Sequence, residues 1–317
     1  MIQPKVTGLR SVELGVPNLR QSAAFYNYVW GLETIAEEEG TVHLGASGGA
    51  RHVLTLREKP VPGLLGVHFA TSDKRSVEGL HARTRAFGVD VASAPNELSE
   101  NVGGGYGFQF KTPEGVVLNI SSDVVESQVS VIDTSKPNKL SHVVLNSSDV
   151  EQQTRFFVDL LGFKLSDSTD MMDFIRCSSD HHSVALARGN GPSVNHISYE
   201  LSSIDGMMQG AGRLKSGGFN PEWGLGRHGP GNNVFLYFID PNGFVVEYTT
   251  ELEQIDEATY RPNDPKYWRE FPNRPCRWGV ATRPSNRVTA AFSGDLSVAD
   301  PADGLRCEDI IAKNLGH

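Results

Sequence analysis

The chain carries one sequence pattern twice. Residues 9–32, LRSVELGVPNLRQSAAFYNYVWGL, align without a gap on residues 140–163, LSHVVLNSSDVEQQTRFFVDLLGF, at a constant offset of 131. Each copy has a strand-like run, a helix-capping residue (Asn18 or Asp149), an amphipathic helix pattern and a closing glycine. The repeat predicts two structurally similar units in one chain.

A second match follows the first in each half. Residues 112–120 (TPEGVVLNI) match residues 240–248 (DPNGFVVEY) at an offset of 128, and each is a proline–glycine turn leading into an apolar run. A second helix pattern lies between, at residues 76–88 and 203–218. Each half is therefore predicted to contain strand–helix–strands twice, which is an α+β fold of two tandem domains.

Domain boundaries are predicted from where the repeats stop. We expect an N-terminal domain at residues 1–130, a C-terminal domain at residues 139–250 and an extension at residues 251–317, with a polar linker, VIDTSKPNKL, between the domains. Aromatic residues in the extension predict that its first half packs on another part of the protein. From about Ser293 onward it is predicted to be weakly structured.

Composition excludes several classes of partner. The formal net charge is −9 and no cluster of lysine and arginine stands out, which argues against nucleic acid. No apolar run approaches the roughly 20 residues that span a membrane, and the N-terminus lacks a signal-peptide core. Cys177, Cys276 and Cys307 are scattered, which predicts reduced thiols in a cytoplasmic protein.

The two copies differ at three places that could hold a metal. His142, His196 and Glu247 lie in three separate strand-like runs of the second copy, and their counterparts in the first are Ser11, about Gly66, and Asn119. Two histidines and one carboxylate form the facial triad that suits non-haem Fe(II), and such a set leaves positions open for substrate and oxygen. A metal would also supply the partner that a carboxylate inside an apolar run needs.

Each of these residues has an ordinary explanation when it is taken singly. A strand histidine is more often a hydrogen-bonded core residue than a metal ligand, and Glu247 could pair with an arginine. Ordinary core packing does not predict all three residues at homologous positions of one repeat only. The joint pattern therefore favours a metal site in the C-terminal domain.

A longer motif carries a resemblance to a known family. The sequence resembles the type I extradiol ring-cleaving dioxygenases of the vicinal oxygen chelate superfamily over roughly residues 7–250. The motif is a glycine, one residue, a histidine, seven residues, Leu-Tyr, two residues, Asp-Pro, one residue, a glycine, three residues and a glutamate. Its fixed positions are Gly226, His228, Leu236, Tyr237, Asp240, Pro241, Gly243 and Glu247.

The resemblance implies a fold and a reaction. Each domain would consist of two βαβββ modules that curl a sheet around a cavity, and the N-terminal domain would be free of metal. Iron would bind His142, His196 and Glu247, although these ligands also allow Mn(II). The substrates would be a catecholic compound and O2, and the protein would form a homo-oligomer.

Three further residues carry over from the family as catalytic groups. Tyr237 would hydrogen-bond the substrate oxygen, and His228 would reach the substrate or an intermediate from the pocket mouth. His182 resembles the acid–base histidine of the family, a task that suits an imidazole titrating near neutral pH. Its neighbour His181 leaves the register open, because only one of two adjacent strand residues points inward.

Pocket residues are predicted less directly. Trp223 and Phe174 could flank an aromatic ring, and Asn146 with Ser147 could orient oxygen or a ligand. Arg227 and Arg274 are the candidates for binding a carboxylated substrate at the mouth. The extension around Trp268 and Arg274 is expected either to cover the cavity as a lid or to pack on another subunit.

Two other functions remain compatible with the same fold. One is a non-oxidative metalloenzyme, such as an isomerase or a thiol transferase of the superfamily, which typically builds its metal site from both halves of a paired structure. Ser11, Gly66 and Asn119 argue against such a shared site. The other is a metal-free ligand-binding protein, against which the intact His-His-Glu set argues.

Overall fold

The structure contains two eight-stranded sheets with the same strand order. The computed structural model describes residues 3–48, 52–126, 133–274 and 276–315. The strands of the first sheet, in chain order, are β1 Val6–Val16, β2 Glu33–Glu38, β3 Thr41–Gly45, β4 Leu54–Glu58, β5 Gly63–Thr71, β6 Asn96–Glu97, β7 Tyr106–Lys111 and β8 Val117–Ser122.

The second sheet repeats this arrangement eight strands later. Its strands are β9 Lys139–Ser147, β10 Lys164–Ser168, β11 Met172–Arg176, β12 Val184–Arg188, β13 Ser193–Glu200, β14 Trp223–Arg227, β15 Val234–Ile239 and β16 Val245–Thr250. In each sheet the first strands of the two modules pair antiparallel at the centre, β1 with β5 and β9 with β13. Each central strand also pairs in parallel with the last strand of its own module.

One helix crosses over in each module. The helices are α1 Leu19–Ala24, which continues as a π-helical turn at Phe25–Trp30, then α2 Lys74–Ala86, α3 Val150–Leu161 and α4 Ile204–Ser216. The structure therefore consists of four βαβββ modules, two in each of two tandem domains, and the predicted α+β fold is confirmed.

The predicted helix ends are also confirmed. The side chain of Asn18 accepts a hydrogen bond from the Gln21 amide at 3.1 Å, and the side chain of Asp149 accepts one from the Gln152 amide at 2.9 Å. These bonds satisfy amides that have no partner within the helix. Both copies end at a glycine with positive φ, 96° at Gly31 and 78° in the second copy, a conformation that disfavours residues with a Cβ atom.

The two domains share an aromatic core. Trp30 is fully buried, and its ring lies 4.0 Å from that of Tyr248 and 5.8 Å from that of Tyr199, measured between centroids. The guanidinium of Arg213 donates a hydrogen bond to the Trp30 carbonyl at 3.0 Å. Because Tyr248 follows Glu247 on β16, this core also fixes the strand that carries the candidate ligand.

The extension is structured along most of its length. Its helices are α5 Pro265–Glu270, α6 Asn286–Phe292 and α7 Pro301–Leu315. The prediction of weak structure from Ser293 onward is wrong, since α7 packs on α1 and buries Cys307 and Ile311. Gln21 of α1 also donates a hydrogen bond to Glu308 at 3.1 Å. Cys307 and Ile311 are four residues apart, which is the spacing of a buried helix face. Composition alone does not reveal such a spacing.

Two remaining expectations concern the linker and the membrane. Residues 131 and 132 of the predicted linker lie outside the described residues, and the domain boundaries stay predictions. Ser47 of the N-terminal domain donates its amide hydrogen to the carbonyl of Pro137 in that linker at 2.9 Å. None of the helices that the structure describes is long and apolar enough to cross a membrane.

Candidate active site

The candidate metal ligands lie on three adjacent strands. His142 is on β9, His196 on β13 and Glu247 on β16, and these strands are neighbours in the second sheet. Ser198 pairs with His142 on one side and with Glu247 on the other, and His196 precedes Ser198 by two residues. Because residues two apart in a strand share a face, the pairing places all three side chains on the same face of the sheet.

The geometry of the three side chains fits a divalent metal. Glu247 Oε2 lies 3.1 Å from His142 Nε2 and 3.4 Å from His196 Nε2, and all three residues are buried. Ligands at adjacent octahedral positions, each about 2.1 Å from a metal, lie about 3 Å apart. Glu247 Oε2 is buried and receives no well-aligned hydrogen bond, so a cation would satisfy it. Elsewhere in the described chain, no other three His, Cys, Asp or Glu side chains meet this spacing.

The N-terminal sheet confirms which residues are equivalent. His68 occupies the place of Ser198, since it pairs with Ser11 on β1 and with Asn119 on β8. The counterpart of His196 is therefore Gly66, two residues before His68. The first domain therefore has the hydroxyl of Ser11, the hydrogen atom of Gly66 and the amide of Asn119 at these positions. The second domain has two imidazoles and a carboxylate there.

A chain of amides orients His196. Its Nδ1 donates a hydrogen bond to Asn195 Oδ1 at 2.8 Å, because an amide oxygen only accepts. Nε2, which faces Glu247, is then the unprotonated nitrogen that a metal requires. Asn195 Nδ2 donates to Asn146 Oδ1 at 3.0 Å, and Asn146 Nδ2 donates to the Phe292 carbonyl of α6 at 2.8 Å.

Asn195 was not predicted from the sequence. It adjoins His196, and successive residues of a regular strand point to opposite faces. The pairing of β13 with β9 shifts register between Val194 and His196, a β-bulge that lets both side chains turn to the same side. The sequence VNHIS contains no signal for such a bulge.

Asn146 and Ser147, which were predicted to orient oxygen or a ligand, form hydrogen bonds with other protein groups. The oxygen and the nitrogen of the Asn146 side-chain amide both form hydrogen bonds with protein groups near His196. These bonds favour a role for Asn146 in positioning His196 over contact with substrate. The Ser147 hydroxyl donates to Glu114 of the N-terminal domain at 3.1 Å. A role for Asn146 in the pocket stays a prediction.

The three predicted catalytic side chains surround the metal ligands. The His182 ring lies 4.2 Å from that of His142, and the Tyr237 ring lies 5.2 Å from that of His196, between centroids. His228 Nε2 and the Tyr237 hydroxyl share a hydrogen bond of 2.9 Å. The structure thus brings all six predicted residues together.

His182, and not His181, lies against His142. His181 is fully buried behind it, where its Nδ1 shares a hydrogen bond of 3.0 Å with His182 Nδ1. The other nitrogen of His181 lies 3.0 Å from Asp167 Oδ2. Because Nδ1 of His182 is engaged in this way, its Nε2 is the nitrogen left to exchange a proton with a substrate.

Burial and neighbouring side chains shift the pKa values of three groups in the site. Burial raises the pKa of Glu247, but the nearby imidazoles of His142 and His196 outweigh it and hold the pKa below its ordinary value. Burial, with the neighbouring histidines, lowers the pKa of His182 well below its usual range, so this imidazole is neutral. Burial and the charge of Glu247 raise the pKa of Tyr237, which keeps the phenol protonated as a hydrogen-bond donor.

Small apolar residues form a wall on the face of the second sheet that carries His142. Val144, Ala185 and Ala187 are buried together, and Met172 and Phe174 pack against them. The Phe174 ring lies 5.2 Å from that of His182, between centroids. A wall of this kind leaves room for a flat ring and offers it apolar contact.

Residues of the extension lie against residues of the site. A cavity of about 410 Å³ lies between the C-terminal domain and the extension, and Phe174, His228, Trp268 and Arg274 are among its lining residues. The Phe292 ring of α6 lies 5.8 Å from that of His196, between centroids. The two expected roles of the extension, a lid over the site and a contact with another subunit, both stay predictions.

Trp223 and Arg227, which were also predicted for the pocket, have protein partners. Trp223 stacks on Tyr237 with centroids 5.1 Å apart, and its indole donates to the Thr282 carbonyl. Arg227 pairs with Glu251 and lies over the ring of Trp278. Of the two candidate arginines, Arg274 is the one that lines the mouth cavity.

Fold and site together define a protein of paired βαβββ modules with a candidate metal-binding set in its second domain. The model of the Glyoxalase/Bleomycin resistance protein/Dioxygenase superfamily matches residues 8–120 and 139–248, and the chain belongs to this superfamily. The resemblance stated from the sequence is confirmed, because relatives named metapyrocatechase and biphenyl-2,3-diol 1,2-dioxygenase match as well.

Two relatives illustrate the range of similarity. Metapyrocatechase 2 of Cupriavidus necator is 36% identical over 135 residues, which cover 42% of this chain and 41% of that protein. The match thus spans less than half of that relative. Metapyrocatechase of Geobacillus stearothermophilus is 23% identical over 90% of this chain and 89% of its own length.

Solved structures show the same fold. The Mn(II)-bound glyoxalase from Novosphingobium aromaticivorans is 39% identical, with a TM-score of 0.83 over 89% of this chain and 94% of that chain. Homoprotocatechuate 2,3-dioxygenase from Arthrobacter globiformis has a TM-score of 0.77 at 21% identity, over 92% of this chain and 91% of its own. At that identity the second likeness shows the fold alone.

Proposed function

We propose that this protein is an extradiol dioxygenase that cleaves the ring of a catecholic compound beside one hydroxyl, using O2 and non-haem Fe(II). The observation that carries the proposal is the buried set of His142, His196 and Glu247, with His182 and Tyr237 facing it from two sides. The names of the related proteins, metapyrocatechase and biphenyl-2,3-diol 1,2-dioxygenase, support the same reaction class.

The proposal assigns a different role to each part of the chain. The C-terminal domain, residues 139–250, is catalytic, and the N-terminal domain, residues 1–130, holds no metal. The extension, residues 251–317, keeps water out of the site through Phe292 and Trp268. Gly229 permits this close approach, because a Cβ atom there would lie 2.9 Å from the Trp268 ring.

The chain's own residues would bind the diol and move its protons. A metal bound by the triad would supply Lewis acidity and a path for electrons between the diol and O2. His182, neutral and with Nε2 available, would accept the proton of one hydroxyl and later return it. Tyr237 and His228 would hydrogen-bond the second oxygen, and Val144, Ala185 and Ala187 would contact the ring.

The proposal names one metal ion but only a class of substrate. Relatives are named both as an iron-dependent extradiol dioxygenase and as a manganese-dependent 2,3-dihydroxybiphenyl 1,2-dioxygenase, and the ligand set suits either ion. We propose Fe(II), with Mn(II) as the alternative. The substrate class is a mono- or bicyclic catechol, and a carboxylated one would contact Arg274. A cytoplasmic homo-oligomer is part of the same proposal.

Oxygen uptake tests the reaction class. Protein reconstituted anaerobically with Fe(II) is mixed with a panel of mono- and bicyclic catechols, while oxygen and ultraviolet–visible absorbance are followed. We expect one O2 consumed per diol and a new yellow ring-opened chromophore. Absence of uptake with every diol, in protein shown to hold one iron per chain, would reject the proposal.

A second candidate is a non-oxidative metalloenzyme. The observation that favours it is the name glyoxalase, given to the structure that is 39% identical to this chain. Such an enzyme would convert its substrate, for example a hemithioacetal, with no change in dissolved oxygen. A ligand-binding protein without metal is separated from both by metal analysis of the purified chain.

A further inference from the structure

A buried carboxylate, which the proposed reaction does not itself use, lies behind His182. It belongs to Asp167 on β10, and Asp167, His181 and His182 are all buried. Asp167 Oδ2 lies 3.0 Å from His181 Nε2, and His181 Nδ1 lies 3.0 Å from His182 Nδ1. Two hydrogen bonds in series therefore connect the carboxylate to the ring that lies against His142.

The extension fixes the orientation of this carboxylate. The Asn263 amide donates a hydrogen bond to Asp167 Oδ1 at 2.7 Å, and the Asn263 carbonyl accepts one from the Ser168 amide at 2.9 Å. Burial and the charge of Asp167 raise the pKa of Tyr260, so the phenol beside this carboxylate stays protonated. Because a backbone donor occupies Oδ1, Oδ2 is the oxygen that faces His181.

These contacts determine which nitrogen of each ring carries its proton. An ionised carboxylate only accepts hydrogen bonds, so His181 carries its proton on Nε2, where it faces Asp167. The other nitrogen of a neutral imidazole is an acceptor, so His181 Nδ1 accepts a hydrogen bond from His182 Nδ1. With its proton on Nδ1, His182 has an unprotonated Nε2. A general base requires such a nitrogen.

The first sheet has the histidine but not the carboxylate. His52 and His182 each lie two residues before the strand that pairs in parallel with the first central strand, β4 or β12. Ala36 takes the place of Asp167, since β2 and β10 both shift register just before this residue. His52 instead bonds the Thr55 hydroxyl through Nε2 at 2.7 Å. The carboxylate thus occurs in the domain that carries the candidate metal ligands.

We propose that Asp167 is a positioning residue that acts through His181 to fix the tautomer of His182, which keeps Nε2 of His182 ready to accept a substrate proton. The benefit to catalysis rests on the proposed function, whereas the tautomer is a property of the folded chain by itself. Asn263 contributes, because its amide occupies Oδ1 and leaves Oδ2 for His181. The extension is thereby connected to the site by hydrogen bonds as well as by ring contacts.

Asp167→Asn, which keeps the shape of the side chain, tests this series of bonds. The Asn263 amide needs an acceptor, so the oxygen of the new side-chain amide stays beside it and the NH2 group faces His181. An NH2 group donates, so His181 accepts on Nε2 and carries its proton on Nδ1. His182 then accepts on Nδ1 and carries its proton on Nε2. We therefore expect this one substitution to reverse both tautomers.

Nitrogen-15 NMR of histidine-labelled full-length protein measures the tautomers without turnover. Spectra are recorded with and without Zn(II), a diamagnetic ion, at slightly alkaline pH, where an ordinary imidazole is neutral. In the wild type we expect the proton of His181 on Nε2 and that of His182 on Nδ1, and in Asp167→Asn the opposite. Loss of one signal pair each in His181→Gln and His182→Gln assigns the spectra.

Asp173→Asn is the matched control. This buried carboxylate of β11 accepts from the Thr154 hydroxyl at 2.8 Å, so the same substitution there should leave both tautomers unchanged. The signals of His52 should be the same in every variant. With Fe(II) and a catechol, Asp167→Asn should lower kcat by about 10- to 100-fold at unchanged KM and metal content, less than loss of the imidazole itself.

The wild-type spectrum alone can overturn the inference, even if Asp167→Asn does not fold. It does so if His182 carries its proton on Nε2, or if His181 is protonated on both nitrogens. Unchanged tautomers in Asp167→Asn overturn it as well, and reversed tautomers with wild-type kcat overturn the benefit to catalysis. Absence of oxygen uptake in the wild type would instead reject the proposed function, and the spectra would still decide the tautomers.

Discussion

The two domains share a fold and differ in chemistry. Both sheets have the same strand order and the same pairing at the centre. The first domain nevertheless has Ser11, Gly66 and Asn119 where the second has two histidines and Glu247. The comparison teaches that the sheet supplies three inward-facing positions on adjacent strands, and that side chains alone decide whether a metal can bind there.

The walls around these positions extend the comparison. Val144 and Ala185 of one wall are replaced by Glu13 and Thr55 in the other, at equivalent places in the strand pairing. An apolar wall suits the face of an aromatic ring, whereas the charged wall suits polar groups. The duplicated fold thus presents side chains of different polarity at equivalent positions, and substitutions at these positions test what that difference does.

The largest expected effect is at Glu247. Glu247→Ala removes a buried carboxylate that two imidazoles contact, so we expect loss of bound metal and a fall in kcat on the order of 10³-fold or more. Metal content per chain and oxygen uptake measure the two losses. Asn119→Ala, at the equivalent place in the N-terminal domain, should keep full metal content. Equal metal loss in both variants would contradict the assignment of one site to one domain.

The next effect is at the pair His181 and His182. His182→Ala should retain the metal and lower kcat by about 10²- to 10³-fold, because His182 is the imidazole of this pair that faces His142 and can exchange a proton with the substrate. His181→Ala should have a smaller effect, since that ring lies behind His182. Steady-state kinetics with metal analysis decides between them. Wild-type turnover in His182→Ala, with loss in His181→Ala, would reverse the assignment.

A smaller effect is expected at Asn195. Asn195→Ala removes the acceptor that orients His196, and such outer partners typically contribute 10- to 100-fold in metal affinity, or about 1.4 to 2.7 kcal/mol. Asn195→Asp keeps an acceptor oxygen and should restore most of the affinity. Competition with a chelator of known affinity provides the measurement. Equal weakening in both variants would indicate a packing role instead.

The smallest effect concerns pH and Glu13, which has no acidic counterpart in the other wall. Burial raises the pKa of Glu13, but hydrogen bonds from His68 and Arg57 outweigh it and lower the pKa from 4.5 to about 2. The stabilisation is therefore complete above pH 4.5 and is lost as the pH falls toward 2. Because the Arg57 side chain is 41% exposed, we expect only about 1 kcal/mol. Wild-type and Glu13→Gln unfolding curves should converge on acidification, and a pH-independent difference would contradict this.

The sequence by itself determined the repeat, the fold class and the three residues that could bind metal. Hydrophobic periodicity and capping residues are local signals, and both copies report the same element twice. Comparing the copies then isolates His142, His196 and Glu247, because equivalent positions in a duplicated fold share one environment. Neither step requires knowledge of contacts between distant residues.

Only the tertiary structure decided how the site is supported. Asn195 and His196 share one side because of a β-bulge, and a similar register shift on β10 precedes Asp167. Strand pairing sets such shifts, and no local pattern encodes them. The contact of Phe292 with His196 joins positions far apart in the chain. His181 and His182 precede β12 and lie outside any strand, so the alternation expected of strand residues does not apply to them, and both are buried. These features depend on long-range packing, which only the folded chain defines.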